Sequence, residues 1–195
     1  MTANNVTKPT QLPHPRRFIT THDDDGKAVF LHQLHETVLF WPVGPKEEPA
    51  AFGLAYTTST APVRLAENDD LVAYANADRH RETSGLVQDG GTVLRYVDYS
   101  PRSSSPMHRT VSCDYAIVLM GEMACLLDSG ESRILGVGDV VIQRGTMHQW
   151  MNNTDSWSRM LYVLIDATPI YINGRVLGED LGDMEGVPKS KIVRD

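Results

Sequence analysis

Three side chains in the middle of this 195-residue chain are of types that could do chemistry: His108, Asp114 and His148. Histidine titrates near neutral pH, so two imidazoles facing a dry cavity can serve as one base and one acid. A carboxylate beside them can orient or charge-stabilise one ring. Imidazole and carboxylate are also the side chains that bind divalent metals most readily. Other candidates are weaker. His32 and His35 stand three apart, a spacing that shares a helical face but separates on a strand; surface or partner-capping histidines are expected there. Asp23, Asp24 and Asp25 precede Gly26, yet the loop lacks the alternating ligands and the distal Glu of a calcium loop, so a solvated turn is expected. Cys113 and Cys125 are too few for a disulfide framework and point to a reducing compartment.

The elements that must position these residues read as short strands. Residues 92–99 alternate Val93, Arg95, Val97 and Tyr99 with Thr92, Leu94, Tyr96 and Asp98, the two-residue period of a strand with two different faces. A Ser- and Pro-rich loop over 100–106 then delivers His108. Strands are expected over 115–120, 123–127, 140–143 and 159–166, with turns at Gly121-Glu122, Asp128 to Glu131 and Gly138-Asp139. Upstream, 18–21, 28–41 and 52–60 are strand candidates, the second carrying His32 and His35. The acidic cluster Glu67, Asp69 and Asp70 reads as a solvated loop. Residues 1–17, with Pro9, Pro13 and Pro15, read as an arm laid over the body or left free. Beyond Pro169 the glycines at 174, 178, 182 and 186 suggest an irregular tail. Many short strands separated by turn residues argue for a sandwich or barrel.

Composition narrows the partners. Hydrophobic residues at 41% and charged residues at 22% are ordinary for a soluble globular chain, and the length suits one domain with a sizeable core. Lys and Arg number 18 against 25 Asp and Glu, a net charge of −7, so a polyanion would meet repulsion and nucleic acid is not an expected partner. The first ten residues are polar, and no apolar run has the length that spans a bilayer. No membrane association and a cytosolic location are therefore expected.

The stretch from Pro106 to Trp150 resembles the two signature motifs of the cupin superfamily. Its order runs His108-Arg109-Thr110, Asp114, an apolar run to Gly121-Glu122, then Gly138-Asp139, an apolar run, Gly145 and His148. The resemblance covers roughly residues 90 to 166. It implies an all-β antiparallel jelly-roll barrel over 18–168, an N-terminal arm over 1–17 and a C-terminal tail over 169–195. It also implies that His108 and His148 face one cavity. Three departures stand out. Thr110 occupies the place of a second His, Asp114 that of a Glu, and the turn Gln143-Arg144-Gly145-Thr146 lacks the usual Pro.

What the resemblance implies for function is a small enzyme of the kind found with secondary-metabolite pathways. His108, His148 and Asp114 are the catalytic candidates. The same three are the metal candidates, as a facial triad for Fe(II) or a site for Zn, Mn or Ni. Since Thr110 is a weak neutral ligand and Asp114 is one methylene short, a weak or absent metal is expected, with His148 as principal acid/base. Tyr96, Thr110, Met120, Trp150 and Tyr162 are the candidate walls of a substrate pocket suited to a ring or polyketide-like skeleton. A lyase or isomerase acting as dehydratase, decarboxylase or cyclase on a carbonyl or phenolic metabolite is the leading expectation. A metal-dependent dioxygenase and a non-catalytic binding barrel are the alternatives. A homodimer is expected, because sheet edges need covering.

Overall fold

A computed structural model describes residues 9–47 and 49–190. In chain order its elements are β1 (Thr20–His22), β2 (Ala28–Phe30), β3 (Phe40–Val43), β4 (Ala50–Thr58), α1 (Asp69–Arg79), β5 (Thr92–Tyr99), β6 (Ser112–Met120), β7 (Met123–Leu127), β8 (Ser132–Leu135), β9 (Val140–Arg144), β10 (His148–Met151), β11 (Ser158–Asp166), β12 (Ile170–Ile172) and β13 (Arg175–Leu177). A six-stranded sheet runs β3-β4-β5-β11-β6-β9, and a three-stranded sheet runs β10-β7-β8. Every pairing is antiparallel. The fold is the all-β, cupin-like one expected.

The alternation read in β5 is what builds the core. Val93, Val97 and Tyr99 pack inward with Val118, Met160 and Leu164 of the same sheet against Met123, Cys125 and Trp150 of the smaller one. Burying these side chains removes apolar surface from water at roughly 25 cal/mol per Å². On the other face, Leu94 and Tyr96 pack on Val38, Phe40, Ala51 and Ala55. The described part of the N-terminal arm lies on this second face. Thr10 Oγ1 donates to Asp98 Oδ2 at 2.6 Å, and Arg159 donates to Pro13 O at 2.8 Å. Arg159 and Asp98, both buried, form a two-pronged ion pair with both N–O distances 2.6 Å. That geometry offsets the cost of taking both charges out of water.

Several sequence expectations change. Residues 28–41 are not one strand: β2 ends at Phe30 and β3 begins at Phe40, with His32 and His35 exposed in the irregular segment between. β3 and β4 complete the large sheet, but β1 and β2 pair only with each other. The acidic cluster is no loop. Glu67 lies in a 3₁₀ turn, and Asp69 and Asp70 open α1, where carboxylates favour the positive end of the helix. Tyr74 of α1 stacks on Tyr56 of β4 with ring centroids 4.9 Å apart, and Asp70 accepts a 2.5 Å hydrogen bond from the Tyr56 hydroxyl.

The tail is ordered too. β12 and β13 form a hairpin turned by Asn173 and Gly174, at φ 51 and 75, the positive values that a two-residue Asn-Gly turn requires. Beyond it the chain returns to the loop bearing His108. Arg109 and Asp180 exchange backbone hydrogen bonds of 2.6 and 2.9 Å. Gly182 passes so close that an added Cβ would lie 2.7 Å from Met107 O. The ends of the expected arm and tail, residues 1–8 and 191–195, lie outside the described residues. Among the described residues no helix is long and apolar enough to cross a membrane.

Candidate functional site

His108 and His148 come from the two motifs and meet as directly opposed residues of an isolated antiparallel bridge. His108 N donates to His148 O at 2.8 Å, and His148 N donates to His108 O at 2.9 Å. This backbone exchange, rather than the side chains, holds the rings together with centroids 4.3 Å apart. Each ring is oriented in the same way. Nδ1 of His108 lies 2.8 Å from Pro106 O and Nδ1 of His148 lies 2.8 Å from Thr146 O. A carbonyl can only accept, so each Nδ1 carries the proton and each Nε2 keeps its lone pair.

Both rings line a cavity of about 430 Å³ between the two sheets. Asp114, Thr110, Trp150 and Tyr162 line it as well. Tyr96 and Met120 do not, contrary to expectation. On β5 the even positions face away from Arg95 and Val97, so Tyr96 joins the second apolar cluster. Met120 ends β6 just before the Gly121 turn and is 38% exposed.

Asp114 sits on β6 directly opposite Gln143 of β9. Thr110, which stands in the place of a second His, is used to hold this carboxylate. Ser112 Oγ donates to Thr110 Oγ1 at 2.8 Å, and Thr110 Oγ1 donates to Asp114 Oδ2 at 3.2 Å. The other oxygen, Oδ1, has no partner among the described residues. Burial pushes the Asp114 carboxyl up to about 6, against the opposing pull of the Ser112 and Thr110 hydroxyls and the Arg95 charge. The imidazoles move the other way. Burial, and then the neighbouring His108, pull His148 down to about 3, and burial lowers His108. Near neutral pH both rings are therefore neutral, and the group that titrates there is Asp114. The expectation of a neutral-range histidine pair is changed by desolvation.

Residues not singled out from the sequence complete the cavity. Arg95 of β5 and Gln143 of β9 both line it, and each is nearly inaccessible at 5% and 3% exposure. Of the nine buried side-chain polar atoms without a partner among the described residues, five belong to this one cavity: Arg95 Nε, Asp114 Oδ1, Gln143 Nε2, Gln143 Oε1 and Trp150 Nε1. Unmet hydrogen-bonding capacity is rare in folded interiors, and here it is concentrated where a ligand would use it. The signal for Arg95 is present in β5, where it falls on the face otherwise made of Val93, Val97 and Tyr99.

As a metal centre the donor set is short. The Nε2 lone pairs of His108 and His148 suit a divalent ion, but among the described residues no three His, Cys, Asp or Glu side chains group closely enough to hold one. Asp114 is bonded to Thr110 through Oδ2 and keeps Oδ1 free.

No family model matches the chain. It is 44% identical over 169 residues, 86% of this chain and 87% of the relative, to phomopsin biosynthesis cluster protein D of Diaporthe leptostromiformis. It is 37% identical over 175 residues, 86% of this chain and 80% of the relative, to a cupin-domain-containing oxidoreductase of Aspergillus ruber. Among solved structures, a cupin 2 conserved barrel domain protein of Salinispora arenicola is similar at 30% identity and a TM-score of 0.36, over 39% of this chain and 64% of that one.

Proposed function

The chain belongs to the cupin superfamily, and from that premise we propose that it is a lyase or isomerase moving protons on a small carbonyl, phenolic or polyketide-like metabolite. The observation that supports this reading most is the cavity, where two neutral imidazoles and a carboxyl titrating near 6 face polar atoms left free for a ligand. In this reading Asp114 is the group that takes up or gives the substrate proton at working pH, and the Nε2 lone pairs of the neutral His108 and His148 accept hydrogen bonds that position the reacting group. Trp150 and Tyr162 form the apolar wall. Burial keeps the Tyr99 and Tyr162 phenols protonated, and their hydroxyls share a hydrogen bond of 3.2 Å, so they shape the cavity without adding charge.

A second reading, as an oxidoreductase, is favoured by the name that several relatives bear. The two separate cleanly by their co-reactants. Proton chemistry needs neither metal nor oxidant, so turnover of biosynthetic intermediates should be unchanged after dialysis against a chelator and in anaerobic buffer. A rate that requires dioxygen or another oxidant would replace the first reading by the second.

The active species in this reading is a homodimer. β9 is an edge strand of the large sheet. Its outward Val140 and Ile142, 51% and 53% exposed, pair with the outward face of β6, where Tyr115 is 40% exposed. An apolar edge of this kind invites a second copy. Light scattering should give twice the chain mass, and Ile142→Glu should shift it to one; a wild-type monomer at micromolar concentration sinks this assembly. The free cysteines Cys113 and Cys125 support a reducing, cytosolic setting.

A further inference from the structure

Among the described residues two arginines are buried, and they are treated in opposite ways. Arg159 is matched by Asp98 through two charge-assisted hydrogen bonds. Arg95, equally buried, has no ion-pair partner among the described residues. Its one hydrogen bond is a long contact from Nη2 to Gly85 O at 3.3 Å, and its Nε has none. Burial pulls the guanidinium down to about 10, so it remains charged near neutral pH. A buried charge with no bonded counter-ion is costly, and the Asp114 charge offsets only part of that burial.

Its position says where the counter-ion would come from. Arg95 lies beside Tyr162 of β11, which in turn lies beside Ala116 of β6, while Asp114 is one inward position further along β6. With strands about 4.8 Å apart and inward residues about 7 Å apart along each, Arg95 and Asp114 stand diagonally across the cavity floor. Both line the same cavity, which has room for a small ligand. The guanidinium carbon also lies 5.2 Å from the centre of the Phe52 ring. Phe52 lines this cavity and not the second one of about 540 Å³, which Arg95 also borders. The stacked cation thus borders the cavity of His108 and His148, while its one hydrogen bond runs to Gly85 at the second cavity. The remaining charged groups at the cavity, Asp183 and Glu185 of the tail, are exposed and screened by solvent.

Building on the function proposed above, we infer that the substrate carries a carboxylate, which docks on Arg95 and sets the reacting carbon against His108, His148 and Asp114. Guanidinium is the side chain best matched to a planar, two-oxygen anion. The neutral donors Gln143 Nε2 and Trp150 Nε1 suit a carbonyl or hydroxyl on the same molecule. Arg95 in this role fixes specificity and orientation; it is not itself an acid or base.

Benzoate and benzamide, nearly identical in shape but differing in charge, serve as probes for calorimetric titration of the full chain. Benzoate should bind at least about tenfold more tightly than benzamide, because only the anion meets the buried guanidinium. Arg95→Gln should remove that preference, and Arg95→Lys, which keeps the charge but loses the fork, should retain part of it. The idea is overturned if wild-type protein binds benzamide as well as benzoate, if it binds neither, or if a folded Arg95→Gln protein keeps the preference. Should that variant not fold, the wild-type selectivity and the Lys variant decide. The readout is binding, so it succeeds or fails whether or not proton transfer is the reaction.

Discussion

Replacing His148 by alanine is expected to reduce turnover by roughly two to four decades while leaving the fold in place. The imidazole is 3% exposed, with Nδ1 committed to Thr146 O and Nε2 left for the cavity. Its loss removes a hydrogen-bond acceptor at the reacting point but not the structure that carries it. The link between the two motifs is made by the backbones of residues 108 and 148, and an alanine makes the same two hydrogen bonds. Far-ultraviolet circular dichroism should therefore be unchanged. The pH profile gives a second readout. Because desolvation drives both imidazoles below their ordinary range, an inflection near pH 6 is expected from Asp114 and should persist in the residual activity of the variant. A wild-type rate in the His148→Ala protein would show a packed ring and nothing more, and the proposed site would have to be abandoned.

How far this site can be read from sequence depends on which forces act locally. The strands from Thr92 onward are legible because alternation and Gly turns are local signals, and β5 and β7 have the ends expected of them. The upstream half is harder. The acids at Asp69 and Asp70 look like a solvated loop until Tyr74 finds Tyr56, a contact that composition does not reveal. The hairpin at 170–177 does carry a local signal, Asn173-Gly174 between apolar pairs, which the irregular scatter of glycines around it obscures. At the site, His108 and His148 are readable through the motifs. The use of Thr110 to hold Asp114, the elevated carboxyl and the unpaired Arg95 are not, since each arises from burial by distant strands. Residue type alone suggests Tyr96 and Met120 as pocket walls, but the facing of one strand and the end of another decide otherwise.

Asp114→Asn should make the protein both inactive and more stable, the pairing expected where a carboxyl is kept for chemistry at a cost to the fold. The sign follows from proton binding. Burial raises the Asp114 carboxyl from 3.8 to about 6, so between those values the folded chain holds a proton that the unfolded chain has released. The group's contribution is thus fully favourable below about pH 4, is lost as pH rises through about 6, and is a constant penalty above that. A rise of about two pH units in the carboxyl's midpoint corresponds to about 3 kcal/mol. An amide does not ionise, and its oxygen can still accept from Thr110 where Oδ2 does now. Urea unfolding at pH 8 should accordingly show the variant more stable by roughly 1–3 kcal/mol, and the two proteins should converge near pH 4. Activity should fall by decades, and the inflection near pH 6 should vanish with the carboxyl. The direction of that inflection in wild-type protein assigns the role: a rate rising through pH 6 marks Asp114 as a base, and a rate falling through it marks an acid. An Asn variant less stable than wild type at pH 8, or one that keeps the wild-type rate and profile, would show that this carboxyl is neither desolvated nor engaged with substrate.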